Sequence, residues 1–209
     1  MSRPIVLVGG GGHCRSVLNT LADSGREVLG ILDLPKNLGQ PVLDWEVIGT
    51  DDDIPRLAPE ADFIITTGFI SDPTLRIMLI DRVSLAGGHF ATAIAPTASI
   101  SRYAQVGEGV VVLHGARVNA GVYVGPHCIL NTQAVLEHDV EVGCNSHVST
   151  GAILNGGVQL GANSFVGSRS VILQGVSICD ATVIGAGSVV RHDIREAGVF
   201  YSPSSLEGR

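Results

Sequence analysis

At 209 residues the chain has room for one large domain or two small ones, and 45% hydrophobic residues supply a core. A net charge of −7, with only 13 Lys and Arg scattered along the chain, argues against a nucleic-acid footprint. Four cysteines (Cys14, Cys128, Cys144, Cys179) form no CxxC pair and no metal spacing, so they read as free thiols of a reducing compartment.

In chain order, the N-terminus lacks a charged stretch followed by a long apolar leader, and Ile5–Val8 is too short to cross a bilayer. The expectation is a cytoplasmic protein without a membrane partner. Ile5–Val8 reads as a strand that breaks into Gly9-Gly10-Gly11-Gly12, and a helix opens at His13 and ends near Gly25. A second strand, Val28–Leu32, closes on Asp33. Residues 35–49 are turn-rich, and Asp51-Asp52-Asp53 begins a short helical piece. A third strand covers 62–67, a helix 72–85, and a last strand 90–93. Such alternation predicts a small Rossmann-like parallel α/β sheet over residues 1–90.

The glycine turn suits a nucleotide. At a helix N-terminus, backbone N–H groups and the positive dipole end meet phosphates. Asp33 stands where a Rossmann acid meets a ribose or base. Cys14 occupies the place where G-x-G-x-x-G wants its last glycine, and no second half follows to hold a nicotinamide, so a mononucleotide diphosphate fits better. The alternative is a tight turn with no ligand.

From Ile94 the rhythm changes. Every sixth residue from Ile94 to Val190 is Ile, Leu or Val, seventeen in a row, and four positions after each of the first sixteen stands a small residue or Val. At average composition such a run arises by chance on the order of once in a hundred million. Hexapeptide periods belong to β-helix solenoids. Three hexads make a triangular coil of eighteen, and Gly107, Gly125, Gly143 and Gly161 mark one corner at that interval, where glycine's conformational freedom suits a turn. Residues 91–209 therefore predict a parallel β-helix of roughly five coils, packed with other copies as a homotrimer to bury more surface.

The prism's histidines, His114, His127, His138 and His147, avoid the inward and corner positions and are expected to face outward. His138 stands apart because Glu137 and Asp139 flank it, and a neighbouring carboxylate fixes the imidazole tautomer and raises its basicity. One coil on lies Gly156, without a side chain, which predicts space beside a base and an N–H available to an oxyanion. Cys128 and Cys144 have no adjacent basic residue, which disfavours a covalent thiol route.

The Gly-Gly-Gly-Gly-His turn, the hexads and Asn131…Glu137-His138-Asp139…Ser146-His147-Val148-Ser149…Gly156 together resemble the hexapeptide-repeat sugar acyltransferases, the group of bacillosamine N-acetyltransferase and the sialic acid O-acetyltransferase-like proteins. The resemblance covers nearly the whole chain and implies a left-handed helix, a homotrimer and acetyl-CoA bound between adjacent prisms. It also implies a nucleotide-linked amino sugar held by the N-terminal domain, no metal, and a place in cell-surface polysaccharide assembly. Carried over, His138 is the general base and Asp139 its support. His147, Asn131 and the Gly156 N–H belong to the acetyl-CoA side, and Gly11, Gly12, His13 and Asp33 to the nucleotide sugar. The activity implied is direct N-acetylation of a nucleotide-linked 4-amino-4,6-dideoxy sugar. Rivals are O-acetylation of a sialic-acid-like sugar, a non-catalytic nucleotide-sugar scaffold, and a β-helix metalloenzyme, for which the His-x4-His spacing is missing. Two departures stand out: Leu34 replaces a second acid after Asp33, and Tyr201-Ser202-Pro203-Ser204-Ser205 replaces the family's usual ending.

Overall fold

The computed structural model describes residues 3–201. Of the atypical ending, residues 202–205 lie outside that range.

The first sheet is built around β1 (Ile5–Val8), whose four residues are all buried. It pairs in parallel with β2 (Val28–Leu32) on one side and β5 (Asp62–Ile65) on the other. Being covered on both faces, these strands read as continuous apolar runs rather than alternating ones. Helix α1 (Gly12–Asp23) follows the glycine turn and buries Cys14, Val17, Leu18 and Leu21. The turn-rich stretch after β2 holds a hairpin that sequence pattern missed: β3 (Pro41–Val42) and β4 (Trp45–Gly49) pair antiparallel, and β4 joins β2. Its turn carries Leu43 at φ 54, a left-handed position filled without glycine. The sheet is therefore mixed, in the order β3-β4-β2-β1-β5-β6, with α2 (Ile54–Leu57), α3 (Thr74–Leu85) and β6 (His89–Phe90) completing it.

Seventeen two-residue strands follow among the described residues, β7 (Ala93–Ile94) through β23 (Val189–Val190), and β24 (Val199–Phe200) closes the end. Through β20 each pairs in parallel with the strand eighteen residues on, and with β24 paired to β22 the coils give three stacked faces of seven, six and five strands. This is a left-handed parallel β-helix, with the coil that the hexads predict and the hand that the resemblance implies. The aliphatic positions from Val112 to Ile184 are buried, and the small positions between them line the same interior. Ile94, at the open end, is 41% exposed.

Two details correct the sequence reading. The corner glycines keep φ outside the left-handed region; they are glycine because the next coil presses on them, a Cβ at Gly125 falling 2.8 Å from Cys144 N. The left-handed residue of each turn lies two positions later, and Asp139 (φ 60) and Asn145 (φ 53) are two of these.

The outward residues differ by face. On the first face they are Ala93, Val111, Ile129, His147, Phe165 and Val183, and all are buried. Ala93 and Val111 pack with Cys14, Val17 and Leu18, so α1 seals this face at its N-terminal end. On the third face they are Gln105, Tyr123, Glu141, Gln159 and Ser177, mostly exposed. The second face carries Val135, Ile153 and Val171, apolar and only half-buried. No helix among the described residues is long and apolar enough to cross a membrane.

Candidate active site

The glycine turn and the ends of β2 and β5 surround a cavity of about 330 Å³. Gly10 is needed because a Cβ would fall 2.7 Å from Asp33 Oδ2, whereas Gly11 and Gly12 have nothing within 4 Å of that position and open onto the cavity. Asp33 lines it, its Oδ2 accepting a hydrogen bond from Asn37 Nδ2 at 2.8 Å. Leu34 lines it as well, so the departure from a second acid gives the pocket an apolar wall. Asp51 is a lining residue that sequence reasoning took only for a helix start. Burial raises its carboxyl above the usual range, a carboxylate with room for a donor. The run of three aspartates just after a strand was the available signal.

His13 sits at the same turn with Nε2 enclosed and unpartnered. Desolvation, then His147 and Arg76 nearby, lower its pKa to about 3, so the ring is neutral. Any phosphate here is met by N–H groups and the helix dipole, not by a histidine cation.

His138 lies elsewhere, on the turn after β14 (Val135–Leu136) at the corner between the second and third faces. The left-handed Asp139 turns the chain there, and Asp139 Oδ2 lies 3.0 Å from His138 Nδ1. Both side chains are exposed, at 60% and 72%. The space foreseen above Gly156 is filled by the imidazole itself: a Cβ at Gly156 would fall 2.5 Å from Cε1 and Nε2 of His138. Only glycine admits the ring. The Gly156 N–H donates to no group among the described residues, while Gly157 N donates to His138 O at 2.9 Å. A groove of about 560 Å³ runs up this corner past Gly156 and Gln174 to Arg191.

His147 faces outward from the prism as expected, but it is enclosed there rather than open to water. It belongs to β16 (His147–Val148) on the first face and is 8% exposed. Phe165 packs edge-on at 5.1 Å between centroids, and the His13 ring lies 6.3 Å away. Asn131 Nδ2 stands 3.2 Å from its Nε2. An amide NH₂ can only donate, so Nε2 accepts and the proton stays on Nδ1, which faces Phe69 O at 3.4 Å. Desolvation outweighs that hydrogen bond and, with Arg76, lowers the pKa to about 4. His147 and Asn131 thus lie beside the glycine-turn residue His13. Within one chain they do not meet His138, whose corner is opposite their face.

The other two histidines have local partners: His114 contacts Asp23 and Thr97, and His127 lies against the Phe90 ring. Cys14 and Cys128 are buried thiols, and burial pushes Cys128 up to about 12, away from thiolate chemistry. No group of three metal-ligating side chains is found among the described residues.

A nucleotide-type turn feeding a hexapeptide prism defines a two-part transferase, and comparison with known proteins agrees. The PglD N-terminal domain family matches residues 4–83, and the bacterial transferase hexapeptide family matches 157–192. A single-site variant of the perosamine N-acetyltransferase of Caulobacter crescentus, solved with CoA and GDP-perosamine, is 32% identical. That match covers 99% of this chain and 97% of the other, with a TM-score of 0.89. The acetyltransferase domain of PglB from Neisseria gonorrhoeae FA1090, solved with acetyl coenzyme A, is 27% identical over 97% of each chain, with a TM-score of 0.88. UDP-N-acetylbacillosamine N-acetyltransferase of Bacillus subtilis (strain 168) is 31% identical over 114 residues, and the match spans about half of that curated relative's length (50%). The chain belongs to the hexapeptide-repeat sugar acyltransferases.

Proposed function

We propose that this protein transfers the acetyl group of acetyl-CoA to the amino group of a nucleotide-linked 4-amino-4,6-dideoxy sugar. The observation that carries the reading is the corner at residues 138–156: an exposed imidazole backed by Asp139, standing over a glycine whose N–H has no partner among the described residues. The sugar nitrogen attacks the thioester carbonyl, and His138 Nε2 takes the proton as the N–C bond forms. Imidazole is the side chain most often used for such a proton transfer at neutral pH. The Gly156 N–H stabilises the oxyanion, typically by about 3–4 kcal/mol. Collapse breaks the C–S bond and expels the CoA thiolate, which takes up a proton. No acyl-enzyme forms.

Residues 1–90 would hold the nucleotide, through Gly11, Gly12, His13 and Asp33, and residues 91–209 would carry the transfer. A homotrimer completes the site. His147 and Asn131 face the nucleotide side of their own chain while His138 projects from the far corner, so a neighbouring copy has to bring the two together. The half-buried apolar column Val135, Ile153 and Val171 gives that neighbour a surface to cover. His147 and Asn131 would meet the acetyl and sugar end of the bound pair. The need for acetyl-CoA places the reaction in the cytoplasm, upstream of polysaccharide assembly.

The test is thiol release from acetyl-CoA with a panel of UDP-, GDP- and dTDP-linked amino sugars and their 4-hydroxy counterparts. Turnover of at least one amino sugar, and of no hydroxy counterpart, is expected. Turnover of hydroxy sugars alone would make the protein an O-acetyltransferase. Tight nucleotide-sugar binding with no thiol release would make it a scaffold.

A further inference from the structure

Arg76, on α3, is a fully buried cation at 1% exposure in the joint between the sheet and the prism. Its Nε donates to Asn145 Oδ1 at 2.9 Å and one terminal nitrogen to His127 O at 2.8 Å, both on the prism. The other terminal nitrogen donates to Ile65 O at 2.7 Å and Thr67 O at 2.8 Å, both at the exit of β5. All four acceptors are neutral. Burying a guanidinium without a carboxylate is costly, and an apolar side chain of similar volume commonly serves stability as well or better. Stability alone therefore does not account for it. Four directional bonds do something apolar contact cannot: they fix how the two parts are oriented.

The parts so fixed are those that handle the ligand. Thr66, between the two β5-side acceptors, donates through Oγ1 to Gly9 O at 2.6 Å and so ties the glycine turn to the same loop. Two residues beyond Thr67, Phe69 O faces His147 Nδ1. On α3 itself, the neighbouring Leu75 and Leu79 line the nucleotide cavity. We propose that Arg76 is a positioning residue: it holds the nucleotide pocket in register with the prism face that carries His147 and Asn131, so that a sugar gripped by its nucleotide arrives where transfer occurs. The proposal rests on the function given above.

Arg76→Met, Arg76→Lys and Asn145→Gly test it, glycine being chosen because position 145 is left-handed. The measurements are kcat and KM for the nucleotide sugar that wild type uses, KM for acetyl-CoA, and calorimetric Kd for the bare nucleoside diphosphate. Arg76→Met should lower kcat/KM for the nucleotide sugar about 10²-fold, the usual effect of an ångström of misplacement. Bare nucleotide Kd and acetyl-CoA KM should stay within about threefold, as expected when the pocket itself is intact. Asn145→Gly should show the same split at about tenfold, Arg76→Lys should retain more activity than Arg76→Met, and the double variant should be no worse than Arg76→Met within about twofold. Loss of bare nucleotide affinity by the same factor as kcat/KM, or losses that multiply in the double variant, would overturn the proposal. If Arg76→Met does not fold, Asn145→Gly decides alone by its own split. If wild type acetylates nothing in the panel, the functional reading fails; the positioning role then stands or falls on whether Arg76→Met abolishes the affinity that the sugar adds to the nucleotide.

Discussion

The prism and the sheet domain bury their interiors in opposite ways. In the prism each inward position repeats its neighbour, and the buried polar groups are hydroxyls satisfied by the next coil, as Ser146 Oγ donates to Gly161 O and Ser170 Oγ to Gly185 O, each at 2.8 Å. In the sheet domain no two buried positions are equivalent, and one buried polar group is a cation reaching across the joint. Repetition leaves nothing distinctive inside the prism, so chemistry can be placed only on its corners and faces. The corner keeps His138 open to solvent, whereas the face under the sheet domain encloses His147 and makes it neutral.

The largest expected effect tests that contrast inside against outside. Val148→Asp puts a carboxylate without a partner into the dry interior, where Val148 is 0% exposed, and should leave no folded protein. Ile153→Asp places the same charge outward on the second face and should fold with a normal circular dichroism spectrum, yet elute as a monomer. Should both fold, the inward register assigned to the hexads is wrong.

Next comes the corner. His138→Ala should lower kcat by roughly 10²–10⁴ with little change in either KM, measured where the substrate amine is fully deprotonated. Retention of more than about a tenth of wild-type kcat there removes His138 from the role of base.

How much of this was legible before the fold was known follows the same division. A strict period of six specifies strand, turn and inward face at once, so one class of side chain, branched aliphatic, repeated seventeen times sufficed. The turn that presents His138 was legible too, from Glu-His-Asp in a fixed hexad slot. The β3–β4 hairpin was not, because its turn uses Leu43 where glycine or asparagine would have announced it. Nor was the enclosure of His147: it depends on Phe69, 78 residues away in sequence, and on packing that no local pattern encodes. Arg76 sits in an ordinary helical stretch, Thr-Leu-Arg-Ile-Met-Leu, and its burial follows from where α3 lands. The outward column of the first face, apolar apart from His147, was a readable sign that something covers it.

A smaller effect separates two kinds of glycine. Gly125→Ala should cost roughly 1–3 kcal/mol, because the new Cβ overlaps the backbone of the next coil. At about 2–4 °C per kcal/mol for a chain of this size, calorimetry resolves the drop in Tm. A Cβ at Gly11 has nothing within 4 Å, so Gly11→Val should leave Tm in place while raising KM for the nucleotide sugar and not for acetyl-CoA. Equal losses for both substrates would make the turn structural only.

The smallest effect is a pH dependence of stability carried by the enclosed histidines. His147 has its pKa lowered from 6.5 to about 4, and His13 to about 3, with desolvation the largest cause in each. Both are neutral in the folded protein. On unfolding in mildly acidic solution each binds a proton that the folded state refuses. A group depressed in this way contributes stability that is fully present above its unfolded value of 6.5 and is lost as pH falls toward the folded value. Each should therefore cost about 1 kcal/mol of stability per pH unit between pH 6 and pH 5, together about 2 kcal/mol. His127, lowered to about 4 but more open to water, adds less. Urea unfolding at one fixed protein concentration, at pH 6 and at pH 5, reads the loss directly. The window lies above the ordinary carboxylate range, but burial raises Asp51 toward it with the opposite sign. The comparison is accordingly made against His147→Gln, which keeps hydrogen-bonding capacity, cannot titrate, and leaves Asp51 untouched. If His147 is held neutral by enclosure, the variant should lose about half as much stability over that window as wild type. Equal losses in the two proteins would mean that His147 is protonated or solvated in the folded state, and the joint between sheet and prism is wetter than its packing suggests.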